Sequence, residues 1–151
     1  MTFELNIPIA GDAPFGIYLK DDKATYRTLR NAFNAAQASF RGLSETPESL
    51  INRDLQGANA AAWSSLREGC ERTLAETSKD LEVICWWVAA MLHGDNPLEN
   101  TSKALQALAD YVGSNLDHLQ PILPEMKLKG ETSEAQGAEI AELKLRPFVQ
   151  L

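Results

Sequence analysis

Cys70, Cys85, His93 and His118 are the only cysteines and histidines in the chain, and together they are the set best suited to hold a zinc ion. Structural zinc sites draw on close pairs, C-x2-4-C or H-x3-5-H, because one turn or loop must aim two ligands at one ion. No such pair occurs here. The expected roles are therefore plain: buried thiols inside apolar helices, and imidazoles at helix C-termini, where the helix dipole favours the cation. Nucleophilic chemistry is no better supported. Cys85 lies in the most apolar segment, where a thiolate is disfavoured. There is no G-x-S-x-G elbow, no P-loop and no Rossmann glycine pattern. Asp21 and Asp22 are adjacent, so their carboxylates point apart and do not form a working acid/base pair. No catalytic, cofactor-binding or metal-binding residue is assigned, and the chain reads as a non-enzyme.

Recognition is the chemistry that remains. Lys23, Arg27 and Arg30 share one stripe of a helix that carries no acidic residue after Asp22. Such a stripe suits an acidic partner or a phospholipid head-group layer, and equally a solvated helix flank. Asp12, Pro14 and Gly16 lie in a turn-rich leader that can present a rigid loop to a partner. Trp86-Trp87 suits either an interface hot spot or a helical core.

The bulk properties narrow the class. A net charge of -7 works against general nucleic-acid binding. The run from Val83 to Leu92 is too short to span a bilayer. Two isolated cysteines suggest a reducing compartment, and Met-Thr-Phe-Glu-Leu-Asn has neither the basic nor the apolar part of a secretory signal. A cytoplasmic location is expected. The 151 residues suit one domain. The ending Pro-Phe-Val-Gln-Leu falls within an apolar segment, so 1–151 is expected to be the first domain of a longer protein.

The elements that must position these residues read as all-α: a compact bundle of five to six helices behind an extended, Pro/Gly-rich leader. Residues 1–22 form the leader, with Ile7, Ile9, Phe15, Ile17 and Leu19 available as a strap. The helical core spans 23–121. Its first helix, 23–41, gathers Tyr26, Leu29, Phe33, Ala36 and Phe40 on one face and stops at Gly42. A short helix is predicted over 44–56, from Thr46 as cap, Pro47 at the first position and Glu48 in the first turn. A third, 59–76, turns Trp63, Leu66, Cys70, Thr73 and Leu74 inward, with Gly69 either permitting close approach of a neighbour or standing as a tolerated weakness. Either Ser78 or Asp80 caps the fourth. It is apolar on nearly all sides from Leu81 to Leu92 and must therefore be central. The fifth runs back over 97–118, with Leu98, Leu105, Leu108, Val112, Leu116 and Leu119 facing in. Residues 122–133 form a linker, and a last helix over 134–144 precedes Pro147, which ends or kinks it.

Two ordered blocks carry a family likeness. The first is Pro8-Ile9-Ala10-Gly11-Asp12-Ala13-Pro14-Phe15-Gly16. The second starts with the Trp63 helix, continues through Ser78-Lys79-Asp80-Leu81 and a tryptophan-bearing helix, and closes on Asp117-His118-Leu119-Gln120-Pro121. In order and spacing they resemble the ImpA N-terminal domain of type VI secretion proteins, found in TssA-like members and in TagA- or VasL-like relatives. The family usually has Arg where this chain has Glu82, a Gly-rich turn where it has Gly94-Asp95-Asn96-Pro97, and His directly before the closing proline. The resemblance implies a cytoplasmic, non-catalytic interaction domain. Its partners would be protein subunits of the baseplate, the tube and sheath, or the membrane complex, with self-association also open. Its work would be assembly of baseplate, tube and sheath, or capping of the sheath. The other reading open at this stage is a helical adaptor unrelated to secretion.

Overall fold

A computed structural model describes residues 3–151. Among these residues there are five α-helices and no strands: α1 Lys23–Glu45, α2 Arg53–Glu76, α3 Leu81–Met91, α4 Pro97–Asn115 and α5 Ser133–Leu145. Short 3-10 turns lie at Leu19–Asp21, Glu125–Lys127 and Arg146–Gln150. The all-α reading holds.

The centre is α3. Leu81 and every residue from Val83 to Val88 are buried, as an all-round apolar helix requires. It packs against α2, α4 and the C-terminal 3-10 turn, while α1 packs along α2. Trp86 stacks on Phe33 of α1 (ring centroids 5.1 Å apart), which ties α1 to α3 through aromatic faces. At Gly69 of α2, an added Cβ would sit 3.1 Å from Leu29 of α1, so the glycine does admit a close neighbour. Lys144 of α5 is buried and donates to the carbonyl of Leu116 (2.6 Å), fastening the last helix to the segment after α4.

Several expectations fail for identifiable reasons. There is no separate helix over 44–56. Instead α1 continues through Gly42 to Glu45, where nothing lies near enough for the missing side chain to matter. Thr46 then turns its hydroxyl back onto the Gly42 carbonyl (2.6 Å) and closes α1 rather than opening a helix. Residues 47–51 are turns, fastened by Gln56, whose amide donates to the carbonyls of Ser49 and Leu50. The cap that opens α2 is Asn52, whose Oδ1 accepts from the Leu55 amide, so α2 begins earlier than 59. Asn59 is therefore interior to α2; its Oδ1 accepts the Trp63 indole N–H (3.2 Å).

The inward face of α4 is Ala104, Leu108 and Tyr111. Of the leucines expected inside, Leu108 is 5% exposed, but Leu98 is 80% and Leu105 and Leu116 nearly half exposed. The rotation that turns Ala104, Leu108 and Tyr111 to the core turns Leu98 and Leu105 outward. Phe40 and Leu92 are likewise largely exposed. In the leader, Leu5, Ile9 and Leu19 carry the buried contact, whereas Ile7 and Ile17 face outward.

Candidate functional site

The leader and the Ser78-Lys79-Asp80 segment form one polar junction. Ile17 donates its amide to Thr77 O (3.1 Å), Lys79 donates to Phe15 O (2.9 Å), Leu81 donates to Gln120 O (2.9 Å) and Gln120 donates to Lys79 O (3.2 Å). Gly16 thereby bridges Ser78 antiparallel, and Asp80 bridges Gln120 in parallel. Ser78 adds a hydroxyl bond to Ile17 O (2.7 Å), and the Gln120 amide side chain donates to Gly16 O (3.3 Å). Residues far apart in sequence, 16, 78 and 120, are thus stitched by backbone groups that would otherwise be buried without partners.

The junction explains its residue types. Gly16 has φ +76°, and a Cβ there would lie 2.1 Å from Thr77 O and 2.6 Å from Ser78 Cα, so only glycine lets the leader approach so closely. Asp80, rather than Ser78, caps α3, accepting from the amides of Glu82 (2.8 Å) and Val83 (3.4 Å). Burial, reinforced by the Glu82 charge, pushes the Asp80 carboxyl up to about 6 despite those two bonds. Lys79 has no accessible surface; its ammonium donates to Leu5 O (3.0 Å) and lies 5.9 Å from the centre of the Tyr111 ring. Burial pushes it down to about 8. Both groups therefore serve architecture: each is an ion that its surroundings make costly, held by backbone contacts.

The cysteines and histidines are dispersed. Cys70 and Cys85 are buried free thiols, and burial pushes both up, Cys85 to about 12 and Cys70 further. His93 stacks on Trp63 (3.9 Å) with Phe40 edge-on, and burial lowers its affinity for a proton. Burial at His93 thus works against the cationic imidazole that a helix end favours. His118 stacks on Phe15 (5.4 Å). No three His, Cys, Asp or Glu side chains among the described residues gather as metal ligands do.

Of the residues expected to meet a partner, Asp12 and Pro14 are exposed on the leader turn, and Gly16 lies half-buried beneath them. Lys23, Arg27 and Arg30 are exposed along α1 and are joined by Lys20 in a shallow groove of about 310 Å³. Arg30 meets Glu82 (3.5 Å) and the Tyr26 hydroxyl (3.3 Å), and that hydroxyl donates to Glu82 (3.2 Å). Glu82, the departure from the usual Arg, thus neutralises one end of the strip. Lys20, Lys23 and Arg27 enter no ion pair among the described residues.

Two features escaped the sequence reading. One is a cleft of about 780 Å³ between α2 and α4, floored by Trp87 and Met91 and crossed by Phe3 to Asn6. The other is Trp86 Nε1, a buried donor with no acceptor in the structure. An orphaned buried donor typically costs about 1–3 kcal/mol.

The family model for ImpA, N-terminal, type VI secretion system, matches residues 7–148. The chain belongs to this family. The match takes in both the leader turn and the Ser78–Asp80 junction, so in this ImpA N-terminal chain the two blocks of likeness are the two sides of one structural contact. No curated protein and no solved structure matches it. The chain is a type VI secretion system component, and no helix among its described residues is long and apolar enough to cross a membrane.

Proposed function

We propose that this ImpA N-terminal chain is a non-catalytic, cytoplasmic interaction domain. It docks protein subunits of the secretion baseplate, the tube and sheath or the membrane complex, and so serves assembly or sheath capping. The observation that carries the reading is the strip Lys23, Arg27, Arg30 on an otherwise acidic chain: exposed, spaced along one helix, and paired only at Arg30. Cations set out in this way attract and orient an acidic surface more than they stabilise the fold that bears them. The leader turn at Asp12, Pro14 and Gly16, anchored by the junction, supplies a second rigid contact.

The test is capture of purified baseplate, tube, sheath and membrane-complex subunits by the protein and by its Lys23→Glu/Arg27→Glu/Arg30→Glu variant. The wild type is expected to retain a subunit at low salt and to lose it as salt rises. The variant should retain it at least about tenfold less. Equal retention by a folded variant would remove the strip from the docking surface.

A further inference from the structure

One end of the bundle leaves large apolar side chains bare. α1 runs up to this end, α2 starts from it, α3 stops at it and α4 leaves from it. At its tip, in the turn between α1 and α2, Leu50 is 89% and Ile51 81% exposed. Leu98, in the first turn of α4, is equally bare, and Phe40 and Leu92 are about half exposed. Phe40 meets His93 edge-on (4.7 Å), which joins the end of α1 to the turn after α3. Surface turns are ordinarily built from polar residues and glycine, so two adjacent bare aliphatics at a tip are out of place in a lone chain. The turn cannot tuck them in. Gln56 holds the carbonyls of Ser49 (2.8 Å) and Leu50 (3.0 Å), so the pair is presented on a fastened loop.

We infer that this tip is an isologous interface with a second copy of the same chain. The charges around it decide the occupant. Arg41, Glu45, Glu48, Arg53 and Asp54 are all exposed there, and none enters an ion pair among the described residues. Two cations thus stand against three acids, on a chain whose net charge is -7. Two such chains repel over most of their surfaces, and the repulsion nearly vanishes at this balanced end. A two-fold contact sets a patch against itself, so the cations of each copy can face the acids of the other while Leu50 and Ile51 meet at the centre. A strongly acidic or strongly basic partner would be drawn to one half of these charges and repelled by the other half. The extent also suits a dimer. Residues 40–56 and 91–98 supply about 25 residues, within the roughly 20–30 a side of a standard interface. Lys23 and Glu45 lie about 33 Å apart along α1, so covering the tip leaves the basic strip open.

The experiment is sedimentation of the whole chain at rising concentration and low salt. The mean mass is expected to climb from 16.6 kDa towards twice that value. Leu50→Ser/Ile51→Ser alters side chains that are bare in the single chain, so folding should survive while the dimer dissociation constant rises at least about tenfold. If that protein melts early, Leu98→Ser decides by the same criterion. Arg41→Glu/Arg53→Glu and Glu45→Arg/Glu48→Arg should each stay monomeric alone, because each leaves one sign in excess at the tip. Mixed together, they should pair. A wild type that stays monomeric throughout, or a dimer undiminished by Leu50→Ser/Ile51→Ser, overturns the inference. A mixture that fails to pair overturns it as well, because the charge match is what singles out a second copy. So does a secretion subunit that competes with the dimer and is lost on Leu50→Ser/Ile51→Ser, since the tip would then belong to that subunit. The Lys23→Glu/Arg27→Glu/Arg30→Glu variant should dimerise as wild type does, so failure of the strip and failure of the tip are read separately.

Discussion

Gly16 offers the sharpest test of how the leader is held. Replacing it by alanine adds one methyl group, yet that methyl would meet Thr77 O at 2.1 Å, Ser78 Cα at 2.6 Å and Thr77 C at 2.8 Å. All three are backbone atoms, so no side chain can rotate out of the way. The φ of +76° adds about 1–2 kcal/mol for any residue with a Cβ. The leader must then back away, loosening the bonds Ile17 N–H to Thr77 O, Lys79 N–H to Phe15 O and Ser78 Oγ to Ile17 O. Each contributes a net ~1 kcal/mol. Together these effects come to roughly 3–5 kcal/mol, a large share of the ~5–15 kcal/mol of a typical domain. At an m-value of about 2 kcal/mol per molar, the urea midpoint of Gly16→Ala falls by roughly 2 M. Gly42→Ala is the matched control. That position is helical, exposed and has nothing within 4 Å, so alanine should stabilise by about 0.5–1 kcal/mol. Opposite signs for one chemical change at two glycines are the expected result. A Gly16→Ala midpoint within error of wild type would refute the account of the junction.

Three further predictions concern the packing of the interior. The Asp80 carboxyl is raised to about 6, so the fold prefers it protonated; stability from this group is fully present below about pH 4 and is lost as pH rises through 6. Asp80→Asn, which retains a capping oxygen, should flatten that limb of a stability-versus-pH curve. Lys79 is lowered to about 8, so the fold prefers it neutral and stability climbs between about pH 8 and its ordinary 10.5; Lys79→Met should abolish the climb. On α4, Leu108→Ala is expected to cost about 2–5 kcal/mol and Leu98→Ser less than about 0.5 kcal/mol in chemical denaturation. Equal costs would mean that the helix lies in the rotation expected from sequence instead.

Much of the architecture was legible along the chain. α3 announced itself because no rotation of an all-apolar helix leaves it a wet side. The inner stripe of α2, Trp63 to Leu74, follows from spacing alone. The failures fall where two local signals compete. Thr46-Pro47-Glu48 reads locally as a helix opening, but Thr46 is bound back to Gly42 and the opening falls instead at Asn52. On α4 the leucine stripe and the Ala104-Leu108-Tyr111 stripe both have helical period and share Leu108, and the packed helix buries the second. Of the candidate site, the charged strip was legible because charge and period suffice to define it. The cleft between α2 and α4 was not, since Arg67, Trp87 and Asn115 come from separate helices and nothing local links them.

The residue pattern alone therefore determined the helical class, the central place of the double-tryptophan helix and the existence of a basic stripe, all consequences of side-chain period along one element. Only the folded arrangement decided which face of α4 is dry, that Gly16 must be glycine, that Glu82 answers Arg30, and that an indole donor is left unanswered. Those depend on distances between segments remote in the chain, and such distances are set by how helices pack, which no local period encodes.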